Sequence, residues 1–394
     1  MDYPLDGIKV VDFTQYQQGT VCTLMLADWG ADVVKVESPG VGDPGRTLGP
    51  KGPKGLVSGY FEANNRNKRS IVVDVKKEKG KEIIYRLVKT ADIFAQNFRP
   101  GVIERLGFGY EALSRINPGI ICLNGSGFGR RGPSRERPGY DMVGQAMGGI
   151  MSIFTGPPDS PPQMIAAGVC DQTGGFLLSF GALLALFDRE RTGYGQEVDM
   201  SLISSALALQ GCAFQASLLA GQLPKMRGRI TPAVFSAGFK AEDGKSFIFQ
   251  TTDNEKREKV FEIAGLDKDP KRFDTWEKIA QSHEGVLDAL EAAFSTKPRD
   301  EWLKLLEEAD VVCAPVYTHT EIAAAPEVIE NEYVVEVNHP TEGPIRVLNN
   351  PIQLSRRRAR IGVAPEHGQH TEEILRETGY SEVEIADLRK QEVV

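Results

Sequence analysis

The sequence predicts an α/β protein, with a Rossmann-like, mainly parallel sheet in a large domain and a smaller α+β domain after it. Two patterns lead to this prediction. Short β-branched apolar runs alternate with segments of helical apolar spacing through residues 8–125, which is typical of βαβ units. Near residue 230 the pattern changes to an antiparallel hairpin around Asp243-Gly244, followed by charged amphipathic helices to about residue 310.

The βαβ units follow one another from the N-terminus. Ile8 to Phe13 is predicted to be a strand, and Val21 to Trp29 a helix that Gly30 closes. Ala31 to Val36 is the next strand. The same pattern recurs as strand, helix, strand and strand at 70–75, 77–88, 91–97 and 119–125. Successive units of this kind produce a parallel sheet because their crossovers are right-handed.

The middle of the chain contains a loop and a strongly apolar helix. Residues 125–140 are rich in Gly, Arg and Pro and are predicted to be a loop. The helix after Asp171 is apolar on nearly every face and ends at Gly193, so we expect it to be buried. The helical pattern breaks near 222–229. We therefore predict a large domain at 1–225, a small domain at 226–328 and a C-terminal segment at 329–394 that returns to the large domain.

Charge and composition exclude several classes of protein. The net charge of -8 and the pI near 5.4 give no general attraction for nucleic acid or for an anionic membrane. The N-terminus carries acidic residues where a signal peptide carries basic ones, and the apolar run Phe176 to Phe187 is shorter than the roughly 20 residues that cross a bilayer. We expect a cytoplasmic protein that binds neither nucleic acid nor membrane.

Familiar catalytic and cofactor motifs are missing. The turn after the first strand reads TQYQQG and offers only Gly19, so the dinucleotide fingerprint is absent. The five cysteines form no CxxC pair, and His367 and His370 form an HxxH pair without a nearby third ligand. We expect no metal site, and an exposed loop for the histidine pair. No GxSxG motif supplies a serine nucleophile.

Asp171 is the most informative single residue, because it lies before Gly174-Gly175 at the start of the apolar helix. One interpretation is helix capping, since aspartate is a favoured N-cap residue. The other is chemistry. Amides and the positive end of the helix dipole would keep this carboxylate ionised at neutral pH, and the same amides could hold an oxyanion.

A basic loop could bind an anion in this otherwise acidic protein. The guanidinium group suits phosphate because it offers several donors in a fixed plane. A solvated loop is the alternative interpretation. The arginines are Arg130, Arg131, Arg135 and Arg137.

Ordered motifs along nearly the whole chain carry a family resemblance. They are LDGIKVVDFT, WGADVVKVESPGVGDPGR, NRNKRSIVVDV, ADIFAQNFRPGVIERLGFGYEAL, PGYDMVGQAMGG, CDQTGG, FDRERTGYGQEVDMSL, NNPIQLS and HGQHTEEILRETGYS. The chain resembles the class III CoA-transferases, of the formyl-CoA transferase and crotonobetainyl-CoA:carnitine CoA-transferase type. The resemblance implies an interlocked homodimer. It also implies that CoA and acyl-CoA are substrates, with no permanently bound cofactor.

The resemblance also implies roles for individual residues. Asp171 aligns with the family's nucleophile, which carries the acyl group and then CoA as an aspartyl-CoA thioester. Gln17 aligns with a glutamine near the reacting thioester, and Asn97 and Arg105 align with positions that contact CoA. Arg137 in the basic loop lies close to a basic position that contacts CoA.

Two positions depart from the family pattern. Ser38 stands where an arginine is expected after the second strand. The stretch FQTTDNEKRE replaces a glycine-rich flap, which leaves open whether residues 250–259 act as a flap.

Three functions remain open at this point. A CoA-transferase would move CoA from a donor such as succinyl-CoA to an organic acid. A 2-methylacyl-CoA racemase would need a histidine partner, but Tyr140 stands at that position and no histidine precedes residue 283. One subunit of a hetero-oligomeric transferase is the third alternative, and a non-catalytic subunit would be expected to lack Asp171.

Overall fold

The computed structural model describes residues 2–153, 161–221, 235–251, 253–267 and 283–394. These residues form two compact units. The large unit comprises Met1–Ser152, Met164–Gln215 and Glu330–Val394, and the small unit comprises Ile153–Gln163 and Ala216–Ile329. The predicted break at 222–229 and the predicted boundary between 225 and 226 lie outside the described residues. The three-part division of the chain stays a prediction.

Strands and helices alternate through the first half of the chain. The strands are β1 (Lys9–Asp12), β2 (Asp32–Glu37), β3 (Arg69–Val72), β4 (Ile93–Gln96), β5 (Ile121–Ser126), β6 (Glu197–Ser201), β7 (Phe235–Lys240), β8 (Ser246–Thr251), β9 (Val312–Val316), β10 (Val334–His339) and β11 (Gly343–Leu348). The helices are α1 (Gln18–Asp28), α2 (Gly59–Asn65), α3 (Glu78–Val88), α4 (Val102–Arg105), α5 (Tyr110–Ile116), α6 (Asp141–Met147), α7 (Ile150–Ile153), α8 (Val169–Thr192), α9 (Leu202–Leu209), α10 (Gly211–Ala220), α11 (Asn254–Ile263), α12 (His283–Phe294), α13 (Arg299–Glu308), α14 (His319–Ile322), α15 (Pro326–Glu330), α16 (Thr371–Glu377) and α17 (Glu382–Lys390).

The large unit is built on a six-stranded sheet in the order β3-β2-β1-β4-β5-β6, and every pairing in it is parallel. This confirms the predicted Rossmann-like α/β fold. Strand β4 is buried along its whole length, because helices cover both faces of such a sheet. The strand order reverses between β1 and β4, and ligands of doubly wound sheets bind at this kind of switch point.

Buried charges tie the carboxyl end of β1 to its neighbours. Lys68 Nζ lies 3.1 Å from Asp12 Oδ2, and Lys35 Nζ lies 2.8 Å from Asp43 Oδ2. Burial lowers the pKa of Lys68 to about 8. Lys35 also donates to the carbonyl oxygen of Thr14 at 2.8 Å. Buried ions of this kind are held by fixed hydrogen bonds, so the loop after β1 has a rigid base.

Helices α1 and α8 pack closely because glycines face the contact. A methyl group on Gly175 would lie 2.6 Å from Val21 Cβ and 2.8 Å from the carbonyl oxygen of Gln18. The buried residues of α8 join the core on one face of the sheet, among them Leu178 and Ala182.

Helix α8 is not buried on every side, which corrects the prediction. Its exposed apolar residues recur at helical spacing and form one stripe. The stripe consists of Phe176, Phe180, Leu183, Leu184 and Phe187. The helix is also 24 residues long and apolar enough, by length and composition alone, to cross a membrane, although core helices of globular proteins pass the same test.

The small unit contains an antiparallel sheet in the order β7-β8-β9. The β7–β8 hairpin confirms the prediction made around Asp243-Gly244, whereas β9 was not predicted. Aromatic rings fill its core: Phe294 lies 4.9 Å from Phe239 and 5.1 Å from Trp302 between ring centroids. Such rings contribute large buried apolar area.

The C-terminal segment 330–394 contributes the antiparallel hairpin β10–β11, of which only β11 was predicted, and it contacts β3. His370 Nδ1 accepts a hydrogen bond from Ser70 N at 3.2 Å, and His367 Nε2 lies 3.1 Å from the carbonyl oxygen of Ser38. Both histidines are half-buried. The HxxH pair therefore makes structural contacts. It lies in a turn, as predicted, but it is half-buried, so the predicted exposure was wrong.

Candidate active site

A cavity lies at the carboxyl ends of β1, β4 and β5, beside the point where the strand order reverses. Segments 15–18, 97–100 and 126–127 follow these three strands and form one wall. The basic loop and the first turn of α8 form another. Of the candidate residues singled out in the sequence, five line this cavity: Gln17, Asn97, Arg135, Arg137 and Asp171.

Asp171 is the third residue of α8, not its N-cap. The N-cap is Gly168, whose φ of 61° is left-handed and which has no side chain to cap the helix. A residue at this position in the first turn can direct its side chain away from its own helix amides. The capping interpretation of Asp171 is therefore wrong, and the carboxyl group faces the cavity.

The amides at the start of α8 are bound by a different carboxylate. Asp141 Oδ1 accepts hydrogen bonds from Cys170 N at 2.7 Å and from Asp171 N at 3.0 Å. Burial raises the pKa of Asp171 to about 7, and the negative charge of Asp141 adds to this shift. The expectation that helix amides keep Asp171 ionised at neutral pH was wrong, because burial raises its pKa and Asp141 accepts the hydrogen bonds of those amides.

Gln17 lies directly against the turn before Asp171. It is the N-cap residue of α1 and makes no side-chain capping bond, so its amide can reach across to α8. A methyl group on Gly168 would lie 2.9 Å from Gln17 Oε1 and 3.0 Å from Nε2. The preceding residue, Tyr16, has a left-handed φ of 59°, which turns the loop so that Gln17 points towards α8.

Asn97 clamps the loop that carries Gln17. Its Oδ1 accepts from Gln15 N at 2.8 Å, and its Nδ2 donates to the carbonyl oxygen of Gln15 at 2.8 Å. Tyr16 N donates to Asp43 Oδ1 at 3.2 Å. The side-chain amide of Asn97 is thus engaged by the protein and fixes the geometry of the cavity wall.

The basic residues divide into two groups. Arg137 lines the cavity and lies 5.4 Å from the Phe128 ring centroid, and Arg135 lines it too. Arg130 instead forms ion pairs with Glu104 and Glu197 and is not among the residues that line the cavity. Arg105 is exposed and lies outside the lining of the cavity.

Sequence reasoning missed four residues of this site. Arg99 was not singled out, because only Asn97 and Arg105 of its motif, ADIFAQNFRPGVIERLGFGYEAL, were assigned roles. Tyr140 entered only as the residue at the racemase histidine position, and its ring lies 5.7 Å from Tyr16. Asp141 gave no signal because its partners are 29 and 30 residues away.

Gln18 is the fourth, and its side chain is a buried donor at the cavity. The residue is only 4% exposed, and its Nε2 has no hydrogen-bond partner within the part of the chain that the structure describes. Gly174 makes room for this amide, since a methyl group there would lie 2.8 Å from Nε2. A buried donor without a partner costs about 1–3 kcal/mol, which a substrate oxygen or a water would recover.

The site has the components of covalent acyl transfer. A carboxyl group whose pKa is raised to about 7 by burial is basic enough, when ionised, to attack a carbonyl. Amide side chains stand beside it, and arginines flank the cavity. Among the described residues no group of three or more metal-ligating side chains occurs.

Comparison with known proteins identifies the family. A sequence profile of CoA-transferase family III matches residues 5–371. The chain is 34% identical over 398 residues to a succinyl-CoA–D-citramalate CoA-transferase of Chloroflexus aurantiacus, covering 99% of this chain and 98% of that protein. It is 34% identical over 401 residues to a succinyl-CoA:glutarate CoA-transferase of Homo sapiens, with coverages of 99% and 90%.

A solved structure agrees with these sequence matches. A CAIB/BAIF family protein from Brucella suis superimposes with a TM-score of 0.87 at 33% identity, covering 96% of this chain and all of the other. The fold and these matches define a CoA-transferase. The chain belongs to CoA-transferase family III and is a class III CoA-transferase, whose substrates are CoA thioesters.

Proposed function

We propose that the enzyme moves CoA from an acyl-CoA donor to an organic acid through covalent states of Asp171. The Asp171 carboxylate attacks the thioester carbonyl, CoA thiolate leaves, and a mixed anhydride forms. The thiolate then attacks the aspartyl carbonyl, the donor acid leaves, and an aspartyl-CoA thioester remains. An acceptor carboxylate reverses these steps. The observation that carries the proposal is a carboxyl group with a pKa of about 7 in a cavity flanked by arginines.

We propose separate roles for the other residues of the site. Gln17 and Gln18 offer amide donors for the carbonyl oxygen of the acyl group. The guanidinium groups of Arg137, Arg135 and Arg99 bind the phosphates of CoA. Asn97 holds the loop of Gln17 in place. Arg105 aligns with a family position that contacts CoA, and as an exposed residue it would reach the distal part of the cofactor-like substrate.

We propose succinyl-CoA as the donor. The Chloroflexus and human relatives carry succinyl-CoA in their names, and another relative, from Rhodopseudomonas palustris, is named a formyl-CoA:oxalate CoA-transferase. The acceptor is an organic acid that must bind in the same cavity. We also propose a cytoplasmic enzyme without a permanently bound cofactor.

The quaternary arrangement proposed is a homodimer, interlocked as the family resemblance implies. Its support is the exposed apolar stripe on α8. Phe180 is 58% exposed and Leu184 is 54% exposed. Contiguous exposed apolar surface marks interaction sites. A second copy of the chain would cover it. A heteromeric partner chain is the alternative.

A racemase of 2-methylacyl-CoA is the second candidate, because a carboxyl group with a pKa of about 7 also suits proton abstraction. Two-base racemisation needs a partner on the other side of the α-carbon. Tyr140 stands at that position. Deuterium incorporation at the α-carbon of 2-methylbutyryl-CoA in heavy water separates the two functions, since a transferase would leave this position unlabelled.

The decisive experiment detects the covalent intermediate. The protein is incubated with succinyl-CoA, quenched, and treated with hydroxylamine or borohydride, and the peptide that contains Asp171 is examined by mass spectrometry. Wild-type protein is expected to carry the modification, and Asp171→Asn to lose it together with at least 1,000-fold of kcat, about 4 kcal/mol of transition-state stabilisation. Asp188→Asn is a matched control, because Asp188 lies on the same helix and is exposed. Full activity in Asp171→Asn would reject the mechanism.

A further inference from the structure

The start of α8 is capped by a side chain from another helix. Gly168 cannot cap it, and Asp141, the first residue of α6, accepts both Cys170 N and Asp171 N. A carboxylate that accepts two amides at a helix N-terminus is strongly favoured there. Asp141 therefore fixes the backbone of Asp171 itself.

Asp141 is in turn held by a buried clamp. Gln145 Nε2 donates to its Oδ2 at 2.5 Å. The same amide group donates to the carbonyl oxygen of Ile165 at 2.8 Å and accepts from Ile165 N at 2.9 Å. Gln145 is fully buried. These bonds leave Asp141 one orientation, with its charge beside Asp171.

The groups that surround Asp171 add no compensating cation in direct contact. Tyr60 on α2 lies near enough for Asp171 and Asp141 both to raise the pKa of its phenol, after burial. Burial raises the pKa of the neighbouring Cys170 thiol to about 12, and Asp141 and Asp171 add to that. Among the described residues no ion pair joins Asp171 or Asp141 to an arginine of the cavity. The charged and titratable groups facing the site are Tyr16, Asp43, Tyr60, Arg99, Arg135, Arg137, Tyr140, Asp141 and Cys170.

We propose that Asp141 is a positioning residue that also shifts the covalent equilibrium, because its fixed negative charge disfavours the free Asp171 carboxylate relative to the acylated form. This inference rests on the proposed nucleophilic role of Asp171. Acylation converts a charged carboxylate into an uncharged anhydride or thioester. The repulsion between the two carboxylates then disappears, so the anhydride and the thioester are both stabilised relative to the free enzyme. The same repulsion makes the attacking carboxylate more basic.

Three variants separate charge from structure. Asp141→Asn removes the charge and keeps an oxygen for the two amides, Asp141→Ala removes both, and Asp141→Glu keeps the charge. The pKa that controls the fall of kcat/KM on the acid side of its pH profile, the acid limb, reports the ionisation of Asp171. We expect the acid limb to move to lower pH by about one unit in Asp141→Asn and Asp141→Ala. At pH 8 the equilibrium ratio of aspartyl-CoA to free enzyme, measured by mass spectrometry, should fall about tenfold. Asp141→Glu should keep the acid limb of the wild type.

The outcomes are distinct. An acid limb that stays in place in Asp141→Asn and Asp141→Ala, with only kcat reduced, would show a purely structural residue and overturn the inference. If Asp141→Asn fails to fold, the Ala and Glu variants decide. Wild-type protein with no adduct on Asp171 would instead defeat the proposed mechanism, whereas an adduct with an unmoved acid limb defeats only the role of Asp141. Asp188→Asn serves again as the control.

Discussion

Asp171, the proposed nucleophile, destabilises the folded state when it is ionised. Its pKa of about 7 lies far above the ordinary value of 3.8, first because it is buried and then because Asp141 is near. The carboxyl group therefore binds a proton more tightly in the folded protein than in the unfolded chain. The contribution of this carboxyl group to stability is fully present below its unfolded pKa of 3.8, falls as the pH rises, and is lost above about pH 7.

Asp171→Asn should consequently stabilise the protein in alkaline solution. Each pKa unit corresponds to 1.36 kcal/mol, so we expect a gain of roughly 2–4 kcal/mol at pH 8 in urea unfolding. The gain should largely disappear at about pH 3, because the wild-type carboxyl group is then mostly protonated in both states. Asp188→Asn should show no such pH-dependent gain. Equal stability of wild type and Asp171→Asn at pH 8 would mean that burial does not raise this pKa.

At the scale of elements, the contact between α1 and α8 holds the two halves of the site together. Gln17 and Gln18 begin α1, and Asp171 lies in the first turn of α8. Gly174 and Gly175 allow the helices to approach, which is why the two ends meet at the cavity. A small shift of one helix would separate the amides from the carboxyl group.

Gly175→Ala tests this contact. Its methyl group would lie within 2.8 Å of the backbone oxygen of Gln18, and backbone cannot move away as a flexible side chain can. We expect a loss of about 1–3 kcal/mol in urea unfolding, with reduced kcat. Gly211→Ala is the control. No atom lies within 4 Å of the new methyl group, so helix propensity should make this change neutral or stabilising by up to about 1 kcal/mol. Equal effects of the two changes would contradict the close packing.

For the whole molecule, the apolar stripe on α8 is the surface through which we propose that two copies associate. Leu184→Glu places a charge in its centre. Because interlocked chains separate only by unfolding, this change should act during assembly and leave a 43.2 kDa monomer after refolding from urea, measured by light scattering. Val383→Glu is the control, since Val383 is 80% exposed on α17, outside the stripe, and its dimer should persist. A monomeric wild-type protein would refute the proposed dimer.

Local patterns in the sequence determined the order of the βαβ units, the class of the fold and the position of Asp171 at the start of α8. They could do so because strand and helix periodicities depend on residues that are close in sequence. The ordered motifs also gave the family. The limits of the strands moved by only one to three residues, as at β1 and β4, since capping and pairing decide where an element stops.

Only the tertiary structure decided how Asp171 ionises and which arginines face it. Asp141 is 30 residues away in sequence, yet it takes the amides that were expected to keep Asp171 charged. Arg130 of the basic loop forms ion pairs with Glu104 and Glu197, whereas Arg99 lines the cavity. These outcomes depend on which side chains the fold brings within a few ångströms, and electrostatic effects of that range leave no periodic trace in the sequence.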